Sequence, residues 1–325
     1  MPSAICLGEA LIDFVALEKG VSLMEASGFE KKPGGAPANV AAGLARLGIS
    51  VGFLGKVGDD PFGRFLADVL RDAGVDVSHL LFEASARTGL AFVALSPTGV
   101  PEFTFFRHPS ADMLLRPEEI REDYFEGIKV FHFGSITLIS QPSRWATMRA
   151  VEVAQRGGAL ISYDPNLRLS LWPSEEDARR GMSEALHLTD ICKVSQEEVL
   201  FLTGQGEADG AGALQARGPS LVAVTRGPGG CALYNRQAAV EAPGHRVKVL
   251  DTTGAGDAFV AAMLFSLLEL GLARADLPRL EREQLQRVAA FANAAGALAT
   301  TVRGAIPSLP TKRQVEAFLK QAGAA

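Results

Sequence analysis

The feature that most constrains the fold is an alternation. Short apolar runs of strand length are followed, again and again, by segments of helical period. Ala4–Leu7 reads as a strand, and Ala38–Leu47 as a helix stopped by Gly48. Val51–Val57 is a strand before a helix over Pro61–Ala73, which ends at Gly74. Lys129–Phe133 with Pro142–Arg156, Ala159–Tyr163 with Glu175–His187, and Ile191–Val194 with Glu197–Leu202 repeat the pair. Leu221–Thr225 is a further strand, closed by a Gly-Pro-Gly-Gly turn. This rhythm predicts an α/β chain with three layers, a mainly parallel central sheet covered by helices on both faces. The 325 residues suit one large unit of this kind, or a large one with a small appendage.

One region breaks the rhythm. Thr88–Leu95 alternates, Ser96-Pro97-Thr98-Gly99 makes a turn, and Pro101–Phe106 alternates again, which predicts a β-hairpin. Leu11–Leu17 also continues past the first strand without a helix. These segments predict a small sheet, over about 11–33 and 86–108, that covers a cleft as a lid; a decorative hairpin at the domain edge is the alternative. We treat the whole of 1–325 as one unit carrying that lid.

Charge and composition exclude several classes. The net charge of −5 offers no basic field for nucleic acid, and 47% hydrophobic residues with 21% charged is a globular balance. No segment reaches the roughly 20 apolar residues of a membrane span. The N-terminus has no basic stretch and carries Glu9 and Asp13 in its apolar run, unlike a signal peptide. Cys6, Cys192 and Cys231 are few, odd in number and far apart, which predicts reduced thiols and a cytoplasmic protein. Five scattered histidines give no zinc-ligand spacing.

Candidate chemistry lies at four places. Gly34-Gly35-Ala36-Pro37-Ala38-Asn39 runs into a helix; its glycines admit close backbone approach, and Asn39 offers both donor and acceptor to a hydroxyl. The same residues serve equally as a tight turn with a capping Asn. Asp13, inside an apolar run, needs donors that sugar hydroxyls would supply; a solvent-facing strand aspartate is the alternative. Ser162–Arg168 follows a strand at the end where open α/β sheets place ligands, and Arg168 can neutralise phosphate oxygens. Thr225–Gly230 has the make-up of a nucleotide-facing turn or of a plain hairpin turn. The most specific stretch is DTTGAGDAF, Asp251–Phe259. Gly254, Ala255 and Gly256 place successive N–H groups at a helix N-terminus, an anion site. Asp257 beside a bound anion is repulsive, unless it takes a proton from a hydroxyl attacking a phosphoryl group. A first-turn aspartate favoured by the helix dipole is the alternative. The chain has no GxxxxGK[ST] loop, protein-kinase set, GxSxG elbow or dinucleotide fingerprint.

The chain resembles the ribokinase-like (pfkB) carbohydrate kinase family. GGAPANVAAGLARLG (Gly34–Gly48), GKVGDDPFG (Gly55–Gly63) and DTTGAGDAF match its two signatures in order, and the likeness runs from Gly8-Glu9 to Arg303–Pro310. Within the family FFRHPSADMLL, FHFGSITL, YDPNLRLSLWP and KVSQEEVLFLTG are similar to the fructokinase branch, with 2-keto-3-deoxygluconate kinases the nearest competitor. The resemblance implies an ATP-dependent sugar kinase; a non-catalytic sugar or nucleotide sensor is the rival from another class. It implies Asp257 as base and Gly254, Ala255 and Gly256 as anion hole. Asp13, Gly34, Gly35, Asn39, Arg107 and Arg168 would hold the sugar. Asn166, Lys193, Thr225, Gly227, Gly230 and Asn293 would line the ATP site. Glu198 would meet Mg2+ through water, in a Ser195–Glu198 segment that departs from the ribokinase Asn-x-x-Glu pattern. Asp251, Thr253, Ala299, Gly304 and Ser308 match positions that hold K+ or another monovalent cation. A homodimer through the lid sheets is a further expectation.

Overall fold

Alternate residues of the first strand, β1 (Ala4–Leu7), belong to two different cores. Ala4 and Cys6 face one and Ile5 and Leu7 the other, all fully buried. Such a strand needs cover on both faces. The computed structural model, which describes residues 1–18, 20–95 and 101–323, supplies it.

After β1 come β2 (Leu11–Ala16), β3 (Phe29–Gly34), α1 (Ala36–Arg46), β4 (Val51–Gly58), α2 (Pro61–Asp72), β5 (Leu80–Glu83), β6 (Leu90–Leu95) and β7 (Pro101–Phe106). Then follow β8 (Val130–Gly134), α3 (Ser143–Arg156), β9 (Leu160–Asp164), α4 (Glu175–Leu186), β10 (Ile191–Ser195), α5 (Gln196–Thr203), α6 (Glu207–Gln215) and β11 (Leu221–Thr225). The chain closes with β12 (Cys231–Tyr234), β13 (Ala239–Ala242), α7 (Ala255–Glu269), α8 (Arg282–Ala299), α9 (Ala305–Ser308) and α10 (Lys312–Ala322).

The large sheet has the order β13-β12-β11-β10-β9-β8-β1-β4-β5. It is parallel from β11 to β5, and β12 and β13 add an antiparallel edge. One apolar core joins it to α1, α2, α7, α8 and α10; the other joins it to α3, α4, α5 and α6. The predicted three-layer architecture is therefore observed. The strands after β1 run first to one side and then to the other, so the order reverses between β1 and β8. Open α/β sheets bind ligands at such a reversal, beyond the carboxyl ends of the strands.

β2, β3, β6 and β7 form a separate four-stranded sheet, order β3-β2-β6-β7. The β6–β7 hairpin is present, and β2 pairs antiparallel with β3 and parallel with β6. The Ser96–Gly99 turn lies outside the described residues. β3 was not legible as a strand because it reads Phe-Glu-Lys-Lys-Pro-Gly; charges and proline mark an edge strand, which β3 is.

Along α7 every residue from Asp257 to Phe265 is buried, because α1 and α8 both pack against this helix. A helix apolar all round is a buried helix.

Candidate active site

α7 starts without a side-chain cap. By contrast, Asp60 caps α2 by accepting from Phe62 N (3.0 Å) and Gly63 N (2.9 Å). The residue at the N-cap of α7 is Gly254, with φ 81° and ψ −2°. That is the geometry a type II turn needs at its third residue, and Ala255 N–H donates across the turn to the Thr252 carbonyl at 3.2 Å. The expectation of three free N–H groups is thus corrected: Ala255 is partly engaged by the turn itself. Among the described residues, no protein acceptor takes the N–H of Gly254 or Gly256, so these two remain for an anion at the positive end of the helix. Below them lies Lys193, its Nζ 3.3 Å from where a side chain on Gly256 would start.

Asp257 follows at once and is buried, 9% exposed. Its Oδ2 accepts a 2.7 Å hydrogen bond from Asn39 Nδ2. Burial pushes its carboxyl up to about 6, and Asp164 adds to the rise, while Asn39, Lys193 and Arg168 work against it. A carboxylate near this value is poised to accept a proton at neutral pH. With its side chain turned to Asp257, Asn39 is not the cap of α1. The N-terminus of α1 is held instead by Glu9, whose Oε1 accepts from Ala36 N at 3.0 Å.

The residues expected to hold hydroxyls gather around Asp257. Asp13 lies on β2, and Gly34 pairs with Leu11 on the neighbouring β3. A Cβ at Gly34 would sit 2.3 Å from Asp13 Oδ2, so the glycine makes room for the carboxylate. Burial pushes Asp13 up to about 7; Arg168 opposes the rise, and Asp257 and Asp251 add to it. Asp13 keeps intermediate exposure on β2, with its carboxyl among this group of charges. Arg168 lies between Asp13 and Asp257 electrostatically, and its guanidinium stands 5.5 Å from the Phe103 ring of the small sheet. Gly35 carries φ 108° at the turn into α1.

Arg107 departs from expectation. It is buried, 4% exposed, and pairs with Asp112, itself buried and held by Ser110 Oγ at 2.5 Å. Glu9 joins this group: burial lifts it to about 7, and Arg107 opposes the rise. The cluster sits where the small sheet joins the large domain, and its carboxylates draw the guanidinium inward. Neither Glu9 nor Asp112 was given a site role from the sequence, although Asp112 lies within FFRHPSADMLL and Glu9 at the start of the family likeness.

On the other side of Asp257 the strand ends converge. Asp164 closes β9, with Oδ1 accepting from Asn166 N (3.1 Å) and Oδ2 from Lys193 Nζ (3.1 Å). Asn166 adopts φ 44° in this tight turn. Burial disfavours the Lys193 ammonium, but the carboxylates of Asp164 and Glu198 outweigh it and hold its pKa above the ordinary value. Glu198 has a role the sequence reading missed. Its Oε2 accepts from Ser195 N (2.7 Å) while Ser195 Oγ accepts from Glu198 N, a capping box legible in Ser-x-x-Glu. Its Oε1 accepts from Leu167 N at 2.7 Å, tying α5 to the turn after β9. Thr225 ends β11, and the turn after it connects to antiparallel β12. Gly227 (φ 55°) is exposed with open space around it, whereas Gly230 is pressed against the Ala242 carbonyl. Asn293 on α8 donates to the Pro243 carbonyl at 2.6 Å.

Behind the anion site, Asp251 accepts from Thr253 N and Gly304 N, each at 2.9 Å, and so joins the loop before α7 to the one before α9. Ala299 ends α8, and the next carbonyl, Thr300, receives Leu250 N at 2.8 Å. Ser308 Oγ donates to Ala305 O, so its hydroxyl is engaged locally. Carboxylate and carbonyl oxygens at the negative end of a long helix are a donor set suited to a hard monovalent cation.

The chain is similar to known proteins over nearly its whole length. The sequence pattern of the pfkB family carbohydrate kinases matches residues 1–312. Probable fructokinase-7 of Arabidopsis thaliana is 49% identical over 320 residues, 97% of this chain and 92% of the relative. The crystal structure of fructokinase with bound ATP from Xylella fastidiosa superposes with a TM-score of 0.90 at 36% identity, covering 99% of this chain and 100% of that one. A double mutant of fructokinase from Vibrio cholerae O395, bound to fructose, ADP and potassium ion, gives 0.85 at 35% identity, with 98% and 99% covered. The chain belongs to the pfkB family of carbohydrate kinases.

Proposed function

We propose that this kinase transfers the γ-phosphoryl group of ATP to the 6-hydroxyl of fructose, giving fructose 6-phosphate and ADP. The observation that carries the reading is Asp257: a buried carboxylate with a pKa of about 6, at an uncapped helix N-terminus, hydrogen-bonded to the hydroxyl-binding loop. The fructokinase relatives, one of them bound to fructose and ADP, support the choice of sugar and nucleotide.

In this mechanism Asp13, Gly34, Gly35 and Asn39 hold sugar hydroxyls, and Arg168 steadies the neighbouring carboxylates and the incoming phosphates. Arg107 organises the base of the small sheet through Asp112. Asp257 takes the proton of the 6-hydroxyl as its oxygen attacks the γ-phosphorus. The bond from that phosphorus to the bridging oxygen of ADP breaks, and ADP leaves with the electron pair. The Gly254 and Gly256 N–H groups and Lys193 meet the charge on the transferring oxygens. Thr225, Gly227 and Gly230 border the nucleotide, with Asn166 and Asn293 shaping the loops around it. Mg2+ on the ATP phosphates would neutralise charge there. Asp164 and Glu198, whose oxygens already accept protein donors, would reach it through water. A monovalent cation among Asp251, Thr253, Ala299, Gly304 and Ser308 would fix the loop that ends in the anion site. The small sheet closes over the cleft as a lid and keeps water from the phosphoryl group. ADP release measured over a panel of sugars tests the assignment.

We also infer a homodimer through the small sheet. One face of that sheet carries Asp13 and Phe103. The opposite face carries Phe14, Phe29, Phe92 and Phe106, with Phe14 and Phe92 stacked at 5.1 Å, Phe14 edge-on to Phe62 of α2, and Phe106 59% exposed beside Leu23. A contiguous aromatic face of this kind is covered by a partner, and a second copy presents the same face. Phe106→Asp should convert a dimer to a monomer in sedimentation velocity. A wild-type chain that sediments as a monomer, or a variant that remains dimeric, contradicts the interface. Three buried cysteines, whose thiols burial holds above their ordinary pKa, and the absence among the described residues of any helix long and apolar enough to cross a membrane accord with a cytoplasmic protein.

A further inference from the structure

Asn39 is 4% exposed, and its two polar atoms are in unequal states. Nδ2 donates to Asp257 Oδ2 at 2.7 Å, while Oδ1 is buried with no partner. An unmet buried acceptor is costly unless a ligand completes it. The bond to Asp257 spans two helices, and its length depends on how closely they approach. One turn further along each helix, four residues on from both partners, Gly43 faces Ala261. A Cβ added at Gly43 would sit 2.6 Å from the Ala261 Cβ, so α1 and α7 approach here as only a glycine permits.

We propose that Asn39 is a positioning residue for Asp257, with Gly43 setting the helix spacing that lets it act: Asn39 Nδ2 fixes one carboxylate oxygen of the base and leaves the other for the reacting hydroxyl, while Asn39 Oδ1 accepts from a second sugar hydroxyl. This rests on the reading of Asp257 as the base. Sugar binding and base orientation are then coupled through one amide. When a sugar hydroxyl donates to Oδ1, the amide plane is held and the carboxylate with it. A water molecule in place of the sugar makes no such rigid partner, which favours transfer to the correct acceptor.

The proposal has a signature that plain sugar binding lacks. A hydrogen bond to the ionised carboxylate favours the charged form, against the burial and the Asp164 carboxylate that disfavour it. Lys193 on β10, Arg168 after β9 and Asp13 on β2 also face Asp257 and remain in place in the variants below. The base must be unprotonated to act, so losing the Asn39 bond moves the acidic limb of the kcat profile to higher pH.

The test is the pH dependence of kcat, which reports groups of the enzyme–substrate complex, in four variants alongside wild type. Asn39→Leu should raise sugar KM, lower kcat about ten- to a hundredfold, as expected for losing a hydrogen bond to a charged group, and shift the acidic limb upward. Gly43→Ala should lower kcat and shift the limb in the same direction with little change in sugar KM. Gly43→Ala with Ala261→Gly, which restores room between the helices, should return both toward wild type. Asp257→Asn should have no such limb. An unmoved limb in both Asn39→Leu and Gly43→Ala overturns the positioning role, even if activity falls. A limb that survives in Asp257→Asn shows instead that the base assignment itself is wrong.

Discussion

Asp257→Asn is expected to lower kcat by about a thousandfold, within the range that general base catalysis contributes, while the affinity for sugar changes little. The substitution is close to isosteric, and the new amide still presents an oxygen to Asn39 Nδ2, which now holds Asp257 Oδ2 at 2.7 Å. What it removes is the lone pair that takes the hydroxyl proton. Burial favours the change if anything, since the carboxylate is held at about 6 by desolvation. A folded variant with intact binding and lost turnover is the result that separates a catalytic aspartate from one favoured by the helix dipole alone. Steady-state kinetics with equilibrium sugar titration gives both quantities, and near-normal turnover would remove Asp257 from the mechanism.

Gly254→Ala should lower kcat by about a hundredfold, comparable to losing one oxyanion donor elsewhere. Two effects act together. The residue has φ 81°, where a side chain is strained, and its Cβ would meet the Ala305 Cα at 2.9 Å. Ala305 belongs to α9, just beyond Gly304, whose N–H is tied to Asp251. The variant therefore shifts the turn that aims the Gly254 and Gly256 N–H groups, and it disturbs the Asp251–Gly304 link behind them. Stopped-flow measurement of the phosphoryl-transfer step checks this. An unchanged chemical step would show that the turn does not shape the transition state.

How much of this was legible beforehand follows from the physics of each signal. The parallel sheet could be read because strands buried on both faces carry continuous apolar runs, as in Ala4–Leu7 and Leu221–Thr225. The Gly254–Asp257 stretch could be singled out because glycines before an aspartate at an apolar helix are chemically costly without a function. β3 could not, since an edge strand hides its period behind Lys31, Lys32 and Pro33. Nor could the Arg107–Asp112 pair: two charges five residues apart give no hint that both are buried. Glu198 was read for its charge, although Ser195 three residues before it already signalled a capping box. The close contact of Gly43 with Ala261 joins residues more than two hundred positions apart, and no local pattern encodes it. Long-range juxtaposition of this sort exists only in the folded chain.

The sugar is where the chain's chemistry is most open to direct measurement. Fructose and 2-keto-3-deoxygluconate differ in a carboxylate, so the cleft must either supply a free cation for it or not. The buried pairing of Arg107 with Asp112 removes one such cation from the cleft, and Arg168 is flanked by Asp13 and Asp257. The most direct measurement is coupled ADP release with ATP and Mg2+ over a panel of fructose, glucose, ribose and 2-keto-3-deoxygluconate, reported as kcat/KM for each. Fructose should give the highest value, with fructose 6-phosphate and ADP formed in equal amounts. Preference for 2-keto-3-deoxygluconate, or no ADP release with any sugar, would contradict the account.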